Sequence, residues 1–377
     1  MTKKSLKIGI DARMFSDAFT GIGRYNYELT KRLFKQTSLN GRSLEWVIFL
    51  NEPQFSEFDF PASVKKVLVD ASHYSWMEQT KFLKLLNQER CDLVHFTHFN
   101  LPLLYRRPFV VTIHDTTISF YPGKKMNVWW RKLAYQLVIR HAVKVSRHII
   151  TVSEHTKKDV LKLFRVRSQK ISPIHIAPSS EFKPSTKAEQ KRVKQQLGLA
   201  DTFLLYTGNW REHKNLVGLI EAFAQLQKKH PSLQLVVTGK EDPHYPEVKQ
   251  AIEKLGLTSA IKLVGLVDFN DLVALFGSAK LYVCPSFYEG FGLPPLEAMA
   301  CATPVAVSRA ASLPEVCGKS AVYFDPHDTA NMAQVMLSLL EDEQKLTQLS
   351  EQGPAWAGSF SWDKCAAKTL QTYQSVL

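Results

Sequence analysis

The chain has no apolar run that approaches the roughly 20 residues a helix needs to cross a bilayer, so no membrane-spanning helix is expected. Its five cysteines, at positions 91, 284, 301, 317 and 365, are odd in number and form neither a CxxC pair nor any zinc-ligand spacing. That argues against a fold built on disulfides or structural zinc. It points to small core residues in a reducing compartment, with the cytoplasm as the default. There is no repeat of solenoid length, no low-complexity tract and no nucleic-acid-binding motif. The basic start, MTKKS, leads into Leu6-Lys7-Ile8-Gly9-Ile10, which is short and alternates like a first strand, so no signal peptide is expected.

What is present is an ordinary globular composition, 45% hydrophobic and 22% charged over 377 residues, enough for two domains. The net charge of +13 is unevenly spread: residues 1–180 hold 29 Lys and Arg against 14 Asp and Glu, leaving 19 against 21 in residues 181–377. A one-sided basic half implies an anionic ligand or surface. Without a nucleic-acid motif, an anionic membrane leaflet is the better reading, and a solvated basic face is the plain alternative.

β-rich apolar runs alternate with helical patterns along both halves, which predicts parallel sheets and an α/β fold. In the first half the expected strands are 6–10, 46–50, 64–69, 92–96, 109–113, 148–152 and 171–176. A helix is expected to about Phe34 after the glycine turn Thr20-Gly21-Ile22-Gly23-Arg24, and another over 76–88. The run Gly123–Arg147 predicts a long basic helix with Trp129, Leu133, Leu137 and Val138 in one stripe. The stripe is expected to be core, with Trp130 and the basic end left for membrane contact. Prolines 173, 178 and 184 mark a linker, after which the pattern restarts at Phe203–Gly208.

The most informative stretch is SFYEGFGLPPLEAMACATPV, residues 286–305. A strand ends at Cys284, Gly290 and Gly292 form a loop with Phe291 and Leu293, and Pro294-Pro295 opens a helix. A glycine loop at a helix N-terminus favours an anion, phosphate above all. Glu289 and Glu297 frame the loop, and carboxylates beside a phosphate site are best explained by sugar hydroxyls that donate to them. The turn at Gly21 and Gly23 has a similar layout, but Asn26 stands where GxGxxG requires its third glycine, so dinucleotide binding is poorly supported. His95, His98, His114 and Asp115 lie at strand ends, where function collects in parallel sheets, yet no helical spacing supports a metal.

This stretch, with SLPEV at 312–316 and IDAR…TGIGRY near the start, resembles the retaining glycosyltransferase family 4, and the resemblance covers nearly the whole chain. It implies the GT-B fold, with two Rossmann-like doubly wound domains facing across a cleft and a last helix crossing back to the first. The domains implied are an acceptor-side domain of residues 1–177 with 361–377, and a donor-binding domain of residues 178–360. It implies transfer of a sugar from a nucleoside diphosphate donor with retention, no metal or other cofactor, and a glycan or lipid-linked acceptor. The YEGFGLP and SLPEV segments look most like bacterial mannosyltransferases of lipopolysaccharide and polysaccharide synthesis that use GDP-mannose. The cysteine usage and the basic first half, not the resemblance, lead to the expectation of a cytoplasmic enzyme at the inner face of the membrane.

Residue by residue, the resemblance lays His114 and Glu289 against the donor sugar, Glu297 on the ribose, and Lys214 on the diphosphate. The loop residues Gly290, Phe291, Gly292 and Leu293 belong to the donor site, Val267 lies by the base, and Gly21 and Gly23 approach the donor phosphates. The chain departs from the family pattern at Asn209 and His213, where arginine is usual, leaving Arg211 to supply the charge. Ala302 stands where glycine is common. Arg24 and Asp115 fall on the acceptor side, with a turn cap equally open for Asp115. Other readings remain open: a UDP-sugar transferase of the same family, a GT-B hydrolase or epimerase, and a non-catalytic nucleotide-sugar-binding protein.

Overall fold

In the computed structural model residues 5–16, 21–126 and 128–377 are described; the first four residues, and Thr20 at the head of the first glycine turn, lie outside them. The chain divides into two compact units. One comprises residues 1–116, 126–176 and 361–377, the other residues 117–125 and 177–360. The short excursion 117–125, which sequence reading leaves in the first half, therefore groups with the second.

The first unit is built on β1 (Leu6–Asp11), β2 (Ser38–Leu39), β3 (Arg42–Leu50), β4 (Val64–Leu68), β5 (Leu93–Phe96), β6 (Phe109–Ile113), β7 (His148–Thr151) and β8 (Ile171–Pro173). The order is β2-β3-β1-β5-β6-β7-β8, with β4 pairing β3, and every pairing except the β2–β3 hairpin is parallel. The central strands β5 and β6 are buried throughout, as expected for a parallel sheet covered on both faces. The strand expected over 171–176 ends at Pro173, which the sheet tolerates because β8 is an edge strand.

The second unit has β9 (Phe203–Thr207), β10 (Gln234–Thr238), β11 (Ile261–Gly265), β12 (Leu281–Cys284), β13 (Val305–Ser308) and β14 (Val322–Phe324). They run parallel in the order β11-β10-β9-β12-β13-β14. In each unit the order reverses about a central pair, β1 and β5 in the first, β9 and β12 in the second. Ligands of doubly wound sheets bind beyond the carboxyl ends of such a pair.

The last helix, Trp362–Val376, lies in the first unit. Tyr373 there shares a 2.6 Å hydrogen bond with His95 of β5, and Arg32 bonds Asp363 at 2.9 Å. The helix expected over 76–88 forms but contains a π-helical turn, Glu78–Phe82, before Leu83–Glu89. A helix over Lys187–Leu197, opened by a Thr186–Glu189 capping box, falls just after the linker.

Two expectations are corrected in the basic segment of the first unit. The helix starts at Trp129, not Gly123, and runs to Val145. Its buried face is Tyr135, Ile139, Ala142 and Val143, whereas Trp129, Leu133 and Leu137 are 73%, 50% and 55% exposed. The segment is apolar on two faces, and the stripe assigned to the core is the one facing solvent.

Candidate functional site

In the second unit the loops after β9 and β12 meet at the switch point and are stitched to one another. Phe287 N–H donates to the His213 carbonyl at 2.8 Å, and Asn215 Nδ2 donates to the carbonyls of Pro285 (3.1 Å) and Pro326 (2.9 Å). The loop after β10 crowds the one after β9 as well: a Cβ on Gly239 would lie 2.1 Å from the Gly208 carbonyl oxygen. Lys214 closes a 3-10 turn, Glu212–Lys214, and Asn215 follows in the left-handed region at φ 53° before the helix Leu216–Lys229.

This scaffold sets Lys214 against Glu289. Lys214 Nζ lies 2.7 and 2.8 Å from the two carboxylate oxygens, with the side chains 22% and 12% exposed. Ser286 Oγ donates a further 2.6 Å bond to Glu289 Oε1. Burial pushes the Glu289 carboxyl up, but the ammonium of Lys214 and these hydrogen bonds outweigh it, so the carboxyl sits below its usual range. The loop backbone is held as well: Ser312 Oγ lies 2.9 Å from the Glu289 carbonyl and 2.8 Å from that of Phe291, and Ser308 Oγ donates to the Ser286 carbonyl at 2.5 Å. Gly292 follows at φ 101°, with space for a Cβ only 2.7 Å from Leu313, and caps the helix Leu293–Ala300. Pro294 and Pro295 in its first turn carry no N–H, so that turn offers few backbone donors and contributes mainly the positive end of the dipole.

Around this pair, Glu297 is buried on the same short helix. Gly290 and Leu293 are half-buried and Phe291 is buried. Arg211 is exposed, and its side chain makes no ion pair among the described residues. His213 is buried, and Val267 is half-buried two residues beyond β11. Residues 117–125 also reach this site. The Tyr121 ring stacks at 10° on Phe287 (centroids 6.3 Å apart) and lies 6.2 Å from His213 and 6.4 Å from Tyr288, so it touches both loops. Lys124 anchors the excursion to Glu247 at 2.5 Å. Neither Tyr121 nor the serines carried a sequence signal.

In the first unit, His114 follows β6 and its Nε2 donates to the Thr97 carbonyl at 2.8 Å, leaving Nδ1 as an acceptor. Burial lowers the imidazole further than that bond and Asp115 raise it, so it is neutral. The Tyr25 ring meets it edge-on at 4.8 Å. Gly21, Gly23 and Arg24 all fall in the first turn of the helix Gly21–Leu33, with Gly23 and Arg24 buried. Asp115 is half-buried beside His114. A charge cluster sits at the β1/β5 switch point: Arg13 bonds Asp11 at 2.8 and 2.9 Å and Glu78 at 2.8 Å, while Asn100 donates to Glu78 at 2.6 and 2.7 Å. The sequence separation of Arg13 and Glu78 hid it. Among the described residues no group of three or more His, Cys, Asp or Glu is arranged to hold a metal ion.

Two family models match the chain, "Glycosyltransferase Family 4" over residues 19–177 and "Glycosyl transferases group 1" over residues 187–356. The O-antigen chain mannosyltransferase B of Escherichia coli is 30% identical over 374 residues, 94% of this chain and 96% of that protein. The chain is a family 4 glycosyltransferase.

The transferase also shares its fold with solved structures. Sucrose-phosphate synthase from Thermosynechococcus elongatus superposes with a TM-score of 0.79 over 98% of this chain and 99% of that one, at 18% identity. HepE of Anabaena, in complex with UDP and glucose, gives 0.74 over 98% and 100%, at 19% identity. The transferase therefore has the GT-B fold anticipated from residues 286–305.

Proposed function

We propose that this transferase moves mannose from GDP-mannose to a hydroxyl of a glycan or lipid-linked acceptor in lipopolysaccharide or polysaccharide synthesis, with retention and without a metal. The observation that carries the reading is the Lys214–Glu289 pair beside the Gly290–Leu293 loop, at the switch point of the second sheet. A cation, a helix N-terminus and a carboxylate within one scaffold suit a ligand that is anionic at one end and rich in hydroxyls at the other. Mannose is the donor of choice because the E. coli relative that matches across nearly the full length is named a mannosyltransferase.

In this reading the acceptor oxygen bonds to the anomeric carbon as the bond from that carbon to the β-phosphate oxygen breaks. The bonding pair leaves with the diphosphate, and the acceptor proton passes to a departing phosphate oxygen. Lys214, exposed Arg211 and the helix beginning at Leu293 stabilise the growing charge, with the turn at Gly21 and Gly23 assisting. In the second unit Glu289 accepts from donor-sugar hydroxyls, Glu297 takes the ribose hydroxyls and Val267 the base; in the first unit His114 serves the donor. Gly290, Phe291 and Gly292 shape the phosphate loop. Arg24 and Asp115 serve the acceptor.

No helix of the described residues is long and apolar enough to cross a membrane, and all five cysteines are buried and free. Both facts agree with work at the cytoplasmic face. The test is transfer from GDP-mannose, with UDP-sugars as competitors and a chelator present, followed by the anomeric configuration of the product. GDP release that requires acceptor and survives chelation supports the proposal. Turnover with UDP-sugars alone replaces the donor, and donor consumption without acceptor points to a hydrolase.

A further inference from the structure

We propose that a hydrogen-bonded chain buried in the first unit, Tyr25–Thr112–His95–Tyr373, positions the His114 imidazole, which makes the last helix part of the machinery that holds that ring. The proposal rests on the reading above only in giving His114 its role towards the donor. Tyr25 Oη lies 3.0 Å from Thr112 Oγ1, Thr112 Oγ1 lies 2.7 Å from His95 Nε2, and His95 Nδ1 lies 2.6 Å from Tyr373 Oη. The four residues come from the helix Gly21–Leu33, β6, β5 and the last helix. None of them is more than 1% exposed.

Stability alone does not call for such a chain. A buried hydrogen bond returns only about 1 kcal/mol net of desolvation, and an apolar set of the same shape would do nearly as well. What a satisfied polar chain adds is rigidity and a single preferred arrangement. Burial lowers His95 to about 3, so its ring is neutral, with one nitrogen donating and the other accepting. Both nitrogens are engaged, so the imidazole cannot turn without breaking a bond on each side.

The chain ends beside His114. Thr112 and His114 are two positions apart along β6 and its end, as are His95 and Thr97 along β5 and its end, so each pair shares a face. The Thr97 carbonyl accepts from His114 Nε2 at 2.8 Å, and Thr97 Oγ1 is itself tied to the Asp11 carbonyl at 2.7 Å. The other restraint on His114 is the Tyr25 ring, edge-on at 4.8 Å and 88°. The hydroxyl bond to Thr112 holds that ring in turn. The last helix closes the arrangement at both ends: Tyr373 holds His95, and the Trp362 ring lies 6.0 Å from that of Tyr25. A shift of this helix therefore reaches His114 by two routes that meet at Tyr25.

The test compares Tyr373→Phe, which removes one hydroxyl from the chain, with Thr369→Ala as the control. Thr369 is fully buried on the same helix and bonds within it, to the Cys365 carbonyl at 2.8 Å. In the full chain the nitrogen resonances of the His114 imidazole, assigned among 12 histidines by their loss in His114→Gln, should shift in Tyr373→Phe and stay in place in Thr369→Ala. In transfer from GDP-mannose, Tyr373→Phe should lower kcat about tenfold and leave the donor KM within about twofold, because a misplaced group costs the transition state more than it costs binding. Thr369→Ala should leave kcat unchanged even where it lowers Tm as much. Thr112→Val cuts the same chain and takes the place of Tyr373→Phe if that variant does not fold. His114 resonances that both chain variants leave in place overturn the proposal, as does a fall in kcat that Thr369→Ala matches at equal loss of Tm. Absence of turnover with GDP-mannose in the unaltered chain overturns the donor assignment instead, and the His114 resonances then decide the positioning by themselves.

Discussion

Lys214 and Glu289 form a bidentate ion pair across the two loops that end β9 and β12, at 2.7 and 2.8 Å. Each charge is the other's main compensation in a place where little water reaches. A nucleotide sugar that engages both groups therefore replaces an existing interaction at each of them. The pair holds the site in shape before the donor arrives.

Its removal should be non-additive. Lys214→Met or Glu289→Gln leaves one half-buried charge without its partner and should cost about 1–3 kcal/mol of unfolding free energy, between exposed and fully buried pairs. The double variant should cost clearly less than the sum of the two in urea denaturation. Strict additivity would mean that the contact contributes nothing. In function, Glu289→Gln should abolish transfer while nucleotide binding survives, and Lys214→Ala should weaken diphosphates more than monophosphates.

Tyr121 should matter although it lies far from both charges in sequence. Its ring touches His213 in one loop and Phe287 and Tyr288 in the other. Tyr121→Ala removes aromatic contacts of about 1 kcal/mol each and should raise the KM for donor, whereas Tyr121→Phe keeps them. Equal behaviour of the two variants would show that the ring does not position the loops.

Acid should loosen the first unit before the carboxylates titrate. Burial lowers His95 to about 3 and His73, with help from Arg13, to about 4, while His98 and His114 are lowered too. The unfolded chain takes up these protons near pH 6.5 and the folded chain does not. Stability is therefore lost as pH falls from about 6.5 towards 4, by up to about 1.4 kcal/mol per pH unit for each such histidine. Urea midpoints at pH 7 and pH 5 test this. Equal midpoints would mean that the imidazoles are not held neutral.

Two backbone positions should respond in opposite directions. Ala302 sits at φ 61°, where a Cβ is unfavourable, so Ala302→Gly should stabilise by up to about 1 kcal/mol and raise Tm by about 2 °C. Gly292→Ala forces a Cβ into the left-handed region and against Leu313, and should lower Tm and weaken nucleotide binding together. A neutral Gly292→Ala would remove the argument that this turn is fixed.

The central strands such as β1, β5, β6 and β9 were legible because each is a short apolar run that the parallel sheets bury, whereas β13 and β14 were not anticipated; the glycine loop was legible because Gly290, Gly292 and the prolines punctuate it. Ala302 was legible as a departure, and its positive φ gives the reason that glycine suits the position. The Trp129–Leu137 stripe was misread because helical periodicity shows that residues share a face, not whether that face meets core or solvent. Ile139 and Tyr135 supply a second apolar face, and that is the one the sheet takes. The Lys214–Glu289 pair spans 75 positions, and the Tyr121 contacts join residues from both halves of the chain. Contacts of that kind come from topology, and no local pattern announces them.

The most direct measurement is calorimetric titration of the chain with GDP-mannose, alone and after Lys214→Ala. The account predicts saturable one-site binding without added metal, weakened at least about tenfold by the substitution, the equivalent of about 1.4 kcal/mol. Binding of GDP-mannose that is indifferent to Lys214, or no binding of any nucleotide sugar, would contradict the claim that the loops after β9 and β12 form the donor site.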